Sequence, residues 1–206
     1  MPTDAFNDPA AEPIGDPWTT CDDLYPCRKS GGYALPSDGG VGNVNFAHGV
    51  FYNTGSPAAN QYSKGHVVDV TNLPMLIVRQ RNSDDKFYRT YWHASRIYVQ
   101  YYDGAGNYTS VTGGSYISYT MAAGSEFELR VSGTTISVWD DGSQIGSDYT
   151  DSNVDSGAYG WGSAYSTDET TGMFSDWEGG DVGGVGGTLP IPRPLSRPFS
   201  GPFGGF

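Results

Sequence analysis

Glu126-Phe127-Glu128-Leu129-Arg130-Val131, then Ser132-Gly133, then Thr134-Thr135-Ile136-Ser137-Val138-Trp139, is the stretch whose reading decides the fold. Phe127, Leu129 and Val131 fall on one side, and Glu126, Glu128 and Arg130 on the other. A period of two is that of a strand with one face in a core. Ile136 and Val138 continue the inward set after the Ser-Gly break. Asp141-Gly142 then supplies a hairpin turn, and Ser143–Tyr149 the next strand. Phe127, Leu129, Val131, Ile136 and Val138 are therefore expected in the core.

The same pattern extends outward. Met75–Arg81, Lys86–His93 and Ser95–Tyr102 read as strands, with breaks at Asn82-Ser83-Asp84-Asp85 and Asp103-Gly104-Ala105-Gly106-Asn107. Tyr33–Leu35 and Val50–Asn53 are short strand candidates in a loop-rich first 60 residues. With 30 glycines and 15 tyrosines, and strong helix formers rare, helices are not expected. Turn signals every eight to twelve residues predict an all-β, antiparallel two-sheet jelly-roll sandwich over residues 1–178.

At Gly179 the composition changes. Residues 179–187 form a spacer with six glycines, and residues 188–206 a Pro/Phe arm, TLPIPRPLSRPFSGPFGGF. Proline blocks ladders and glycine is costly to order, so the arm cannot build a core alone. Pro190, Pro192, Pro194, Pro198 and Pro202 favour an extended path of about 3.1 Å per residue, roughly 60 Å in all. Leu189, Ile191, Leu195, Phe199, Phe203 and Phe206 are spaced to fill successive pockets, with Arg193 and Arg197 between them. The expected partner is a neighbouring subunit of the same assembly, with folding back on its own domain as the alternative.

The formal charge is −12. Arg193 and Arg197 against Asp181 leave the body near −13. Such a body argues against binding nucleic-acid phosphates or anionic lipid, both of which need Lys and Arg in quantity. No run of eighteen apolar residues predicts a membrane span. The opening MPTDAFNDPAAEPIGDPW lacks a basic segment followed by an apolar one, so no secretion signal is expected and synthesis in a cytoplasm is. Cys21 and Cys27 are too far apart for a redox CxxC pair. A disulfide closing the loop at about residues 19–32 is the leading expectation, and buried thiols the alternative.

Catalytic patterns are sparse. The five glutamates are Glu12, Glu126, Glu128, Glu169 and Glu178. Glu126 and Glu128 share a strand face but read as a solvated surface. No nucleophile elbow accompanies His48, His66 or His93. No Cys/His set suits zinc, so no cofactor is expected. Asp140, Asp141, Asp148, Asp151 and Asp155 form an acidic stretch that lacks the spacing of a calcium loop and reads as turns.

Aromatic surface remains. With Ile97, Val99 and Tyr101 inward, Tyr98, Gln100 and Tyr102 point outward; on the preceding strand Tyr88 and Trp92 share a face. Rings stack on sugar C–H faces while amides and hydroxyls meet sugar hydroxyls. Tyr88, Trp92, Tyr98 and Tyr102 are accordingly the candidate carbohydrate-binding residues. Sheet packing and a subunit interface are the competing uses of such rings.

Several segments resemble a known superfamily. Asp4-Ala5-Phe6-Asn7-Asp8 with Ile14-Gly15-Asp16-Pro17-Trp18-Thr19 is similar to the opening of concanavalin A-like, LamG-type jelly rolls. Gln61-Tyr62, Leu76-Ile77-Val78-Arg79, Phe87-Tyr88-Arg89, the paired strands around Gly133 and Phe174–Asp181 follow in the same order. Asp8, where the family often has a basic residue, and the insertion holding Cys21 and Cys27 depart from the pattern. Such modules occur in phage structural and bacterial surface proteins, and the fold hosts lectins, glucanases and inert modules alike. The glucanase motif E-x-D-x-x-E is missing here.

The resemblance and the arm together imply a non-enzymatic virion structural protein: a capsid decoration or tail module at the virion surface, held by neighbouring subunits or another virion protein. The alternatives are an extracellular carbohydrate-binding or carbohydrate-cleaving surface protein, with a host glycan as partner, and a subunit of a non-viral filament. Deleting residues 182–206 is expected to leave the sandwich folded and monomeric while abolishing assembly, measured by thermal melting and co-sedimentation of the truncated protein.

Overall fold

Alternation of apolar and polar residues resolves into two antiparallel sheets in the computed structural model of the chain, which describes residues 3–4, 6, 18–21, 24–25, 27–30, 33–36, 48–52, 59–70, 72–114, 116–165 and 173–182. No helix occurs among them. The strands are β1 (Thr3–Asp4), β2 (Trp18–Thr20), β3 (Cys27–Ser30), β4 (Tyr33–Pro36), β5 (His48–Tyr52), β6 (Gln61–Val67), β7 (Pro74–Gln80) and β8 (Phe87–His93). They continue as β9 (Arg96–Tyr102), β10 (Tyr108–Ser110), β11 (Ile117–Ser118), β12 (Glu126–Ser132), β13 (Thr135–Asp140), β14 (Ser143–Thr150), β15 (Ala158–Ser163) and β16 (Phe174–Asp181).

The first sheet runs β14-β13-β12-β6-β16-β4-β3, with β1 also on β16. The second runs β10-β9-β8-β7-β15-β5-β2, with β11 also on β9. Crossing between sheets along the chain is the jelly-roll solution to burying both inner faces. The expected inward residues Phe127, Leu129, Val131, Ile136 and Val138 are all fully buried. From the other sheet they meet Val50, Leu76, Val78, Ile97 and Val99. At one end Trp18 packs edge-on against Trp161 at 5.6 Å and Trp177 at 4.8 Å, and Phe6 against Trp161 at 5.3 Å.

A bulge links the sheets. Between Ala158 and Gly160 of β15, β7 carries one extra residue, so the pairing shifts from Gln80 to Ile77. Arg79 sits there with φ of 55°, a conformation non-glycine residues adopt only when held. The extra residue turns peptide groups out of the ladder, and Gln61 of the opposite sheet receives them. Arg79 N–H donates to Gln61 Oε1 at 3.0 Å, and Gln61 Nε2 donates to Gly157 O. Ser63 Oγ donates to Gly160 O at 2.6 Å and accepts from Trp177 Nε1 at 2.8 Å. The Arg79 side chain donates to the carbonyls of Ala59, Val154 and Gly133, tying three loops together. A Cβ on Gly157 would lie 2.3 Å from the Arg79 carbonyl carbon, so only glycine fits beside the bulge.

Two expectations are corrected. No disulfide joins Cys21 and Cys27. The two are drawn into different apolar clusters. Cys27 lies between the sheets, and Cys21 packs with Leu24 and Phe51 on the outer side of the second sheet. Burial pushes the Cys27 thiol well up, so it stays protonated. Strand β16 runs through Asp181, so residues 179–181, read as spacer, belong to the sheet. Gly179 is a packing glycine there: a Cβ would stand 2.5 Å from the Trp177 and Tyr159 rings. Residues 183–187 of the spacer and the arm, with Leu189, Ile191, Arg193, Leu195, Arg197, Phe199, Phe203 and Phe206, lie outside the described residues.

Gln61→Leu is expected to cost about 3 kcal/mol, because it strands a buried N–H and a buried carbonyl at the bulge. Chemical denaturation of the variant measures this, and Ser63→Ala, which strands Trp177 Nε1–H and Gly160 O, should cost a similar amount.

Candidate functional site

Strands β7 to β10 present one row after another on the outer face of the second sheet. Register fixes the rows. Gly160, Ile77, Arg89, Gln100 and Ser110 stand side by side. Gly162, Met75, Tyr91 and Tyr98 form the next row. Phe87, Tyr102 and Tyr108 flank the first, and His93 faces Arg96 beyond the second.

Arg89 lies at the centre and is 5% exposed. Its Nε and Nη2 donate to Gln100 Oε1 at 3.0 and 2.7 Å. Nη1 has the Met75 sulfur at 3.7 Å. The guanidinium stacks on Tyr108 at 3.5 Å from the ring centroid and approaches Tyr91 at 5.0 Å. Burial holds this guanidinium below its ordinary range. Burial likewise raises the Tyr91 phenol. Tyr91 and Tyr98 stack face to face, centroids 4.8 Å apart and 6° from parallel. Tyr116, 41% exposed, tilts against Tyr98 at 5.9 Å. Arg96, exposed, lies 4.4 Å above the Tyr116 ring. The result is an aromatic platform with guanidinium and amide groups set into it.

The four sequence candidates divide between faces. Tyr98 lies on the platform, half-buried. Tyr102 shares the outer face but is buried between Phe87 at 4.9 Å and Tyr108 at 4.7 Å. Tyr88 and Trp92 point the other way, into the core between the sheets. Tyr88 Oη donates to Asp151 Oδ1 at 2.5 Å and accepts from Val154 N at 3.1 Å. The two strands meet through a two-residue turn at Ala94-Ser95, which pairs Trp92 with Ile97. Paired residues share a face, so an inward Ile97 takes Trp92 inward with it. That turn length was the signal that separates Trp92 from Tyr98. Arg89, Tyr91, Gln100 and Tyr116 are the platform residues that the sequence candidates omitted.

The first sheet's outer face differs in chemistry. Lys64 Nζ lies 3.0 Å from Glu126 and 3.8 Å from Glu178. Arg130 pairs with Glu128 and stacks on Trp139 at 3.9 Å. Tyr62 donates to Glu178, and burial with that carboxylate raises its phenol. Glu128, expected in solvent, is 5% exposed because the Arg130 fork and Trp139 cover it. The aspartates of the acidic stretch serve as hydrogen-bond acceptors: Asp140, at the end of β13, takes Tyr119 Oη, Asp141 in the turn caps Glu126 N, and Asp151 takes Asn153 N and Nδ2. Among the described residues, no three potential metal ligands cluster.

No protein-family model matches the chain, and no curated protein does. Solved structures do. The carbohydrate-binding module CBM66 of Bacillus subtilis matches with a TM-score of 0.53 at 12% identity, over 72% of this chain and 89% of the module. A structure from work on endo-acting O-glycanases of human gut microbiota that initiate mucin breakdown matches at 0.56 and 10% identity, over 88% and 99%. The exoplasmic domain of VIP36, bound to Ca2+ and Man3GlcNAc, matches at 0.52 and 13% identity, over 86% and 87%. The chain thus has a lectin-like jelly-roll fold.

His66 and Asp176 make a pH-sensitive pair on the first sheet, Nδ1 to Oδ1 at 2.8 Å. The hydrogen bond with Asp176 raises the His66 pKa above its ordinary 6.5. Burial works against ionisation of Asp176, but His66 holds it below its ordinary 3.8. The histidine contribution is complete below 6.5 and fades as pH rises through its folded value. The aspartate contribution is complete above 3.8 and fades as pH falls through its own. Asp176→Asn should therefore destabilise most between pH 3.8 and 6.5, and its melting-temperature deficit should shrink on both sides.

Proposed function

We propose that this chain is a carbohydrate-binding protein of the concanavalin A-like superfamily, with the platform on β8 and β9 as its glycan site. The observation that carries the reading is the Tyr91–Tyr98 stack with Arg89, Gln100 and Tyr116 around it. A pyranose lying on Tyr98 would gain ring stacking, while Gln100 and the tyrosine hydroxyls exchange hydrogen bonds with its hydroxyls. The fold relatives favour this reading: one is a carbohydrate-binding module and another was seen with Man3GlcNAc.

Binding without cleavage fits the chemistry better than hydrolysis. Glycoside hydrolysis needs two carboxylates across the scissile bond. No Asp or Glu occupies an outward position of β7 to β9 beside the platform. The carboxylates Glu126, Glu128 and Glu178 of the other face are engaged by Lys64 and Arg130. The virion reading rests on the 188–206 arm, outside the described residues, and the platform favours the carbohydrate reading over it. In this reading the protein works at an extracellular or virion surface.

A glycan array followed by calorimetry tests the proposal. Tyr98→Ala should weaken binding of the best array hit by about 1–2 kcal/mol, with only a small fall in melting temperature from the lost Tyr91 stack. Trp92→Ala should lower the melting temperature instead. Release of reducing ends by the wild-type protein would show an enzyme.

A further inference from the structure

The protein carries 23 acidic and 11 basic side chains, so a cation ordinarily finds a carboxylate. Lys64, Arg81, Lys86 and Arg130 all do. Arg89 and Arg96 do not: neither makes an ion pair among the described residues. Their contacts are rings, an amide oxygen, a thioether and, for Arg96, the Tyr98 hydroxyl. Both lie on the platform. The outward positions there are Met75, Ile77, Phe87, Arg89, Tyr91, His93, Arg96, Tyr98, Gln100, Tyr102, Tyr108 and Ser110, without one Asp or Glu.

A guanidinium 5% exposed and lacking a counter-charge is costly to keep. Its burial removes the water that would screen it, so its field reaches further than that of a surface arginine. Arg96 repeats the charge in solvent. From Arg89 to His93, opposite Arg96, four residues along β8 span roughly 13 Å, more than one sugar ring covers. Tyr91, Tyr98 and Tyr116 fill the space between.

We infer that the platform takes an anionic glycan, its charged oxygens drawn to Arg96 over the field of Arg89 and its rings laid on Tyr98 and Tyr116. This rests on the carbohydrate-binding reading and adds the charge of the ligand. A uronic or sialic acid carboxylate and an ester sulfate share the required chemistry. Gln100 holds Nε and Nη2 of Arg89, leaving the Nη1 side, with its weak sulfur acceptor, as the more easily exchanged contact.

Matched pairs of sugars test it by calorimetry at low and moderate salt. The pairs are oligogalacturonate and its neutral methyl ester, 3′-sialyllactose and lactose, and dextran sulfate and dextran. The charged member of at least one pair should bind about tenfold more tightly, with a preference that shrinks as salt is added. The pair that shows the preference separates carboxylate from sulfate. Arg96→Gln, at an exposed position, should remove most of the preference, weakening binding of the charged member far more than that of its neutral partner. Arg89→Met should act in the same direction. Equal binding of charged and neutral members overturns this inference and leaves carbohydrate binding standing. Absence of binding by any sugar overturns both. A preference that survives in the Arg96→Gln, Arg89→Met double variant overturns the assignment to this face.

Discussion

The second sheet breaks its own ladder at Arg79, and Gln61 of the first sheet repairs it. Two unladdered peptide groups would each cost on the order of 1–3 kcal/mol if left without a partner in the core. Gln61 has one donor pair and one acceptor, and one side chain answers both. Apolar contact alone lets two sheets slide over one another; this amide does not. With the Ser63 hydroxyl, which joins Gly160 O to Trp177 Nε1, it ties one sheet to the other beside the tryptophans at the end of the core. The Arg79 guanidinium extends the constraint to the loops at Ala59, Gly133 and Val154. Desolvation lowers its pKa, but carbonyl oxygens from three loops surround the charge.

With the sheets locked, each outer face becomes a fixed surface, and the two are built from opposite chemistry. The first carries Lys64, Arg130, Glu126, Glu128 and Glu178 in a closed set of ion pairs. The second carries tyrosines and two arginines that make no ion pair among the described residues. Stacking of Tyr91 on Tyr98 and the hold of Gln100 on Arg89 keep these rings in place before any ligand arrives. Side chains already ordered lose less entropy on binding, which is what a recognition surface requires.

Much of this was legible residue by residue. The alternation from Glu126 to Val138 placed five core residues, and the structure buries all five. Asp141-Gly142 marked a hairpin because its residues tolerate positive φ, and Asp141 and Gly142 adopt it at 47° and 75°. Strand β15 escaped notice because Ala158-Tyr159-Gly160-Trp161-Gly162-Ser163 alternates aromatics with glycines rather than apolar with polar side chains. Its glycines are imposed by neighbours: a Cβ on Gly160 or Gly162 would come within 2.0 Å of a β5 carbonyl oxygen. The candidate site was half legible. Alternation turns Tyr98 outward, as it lies, but sets Tyr88 and Trp92 beside it although they face the core.

The sequence by itself determined the all-β character, the five inward residues of β12 and β13 and the acidic character of the body, because these follow from local alternation and composition. Only the tertiary structure decided which strands became neighbours, which side of each hairpin looked outward and which arginines lacked a carboxylate. Those depend on register between segments far apart in the chain. Slipping a strand by one residue exchanges its faces, so Trp92 and Tyr91 trade core for surface on a single step of pairing. The same step decides that Arg89, and not Tyr88, stands among the rings of the platform.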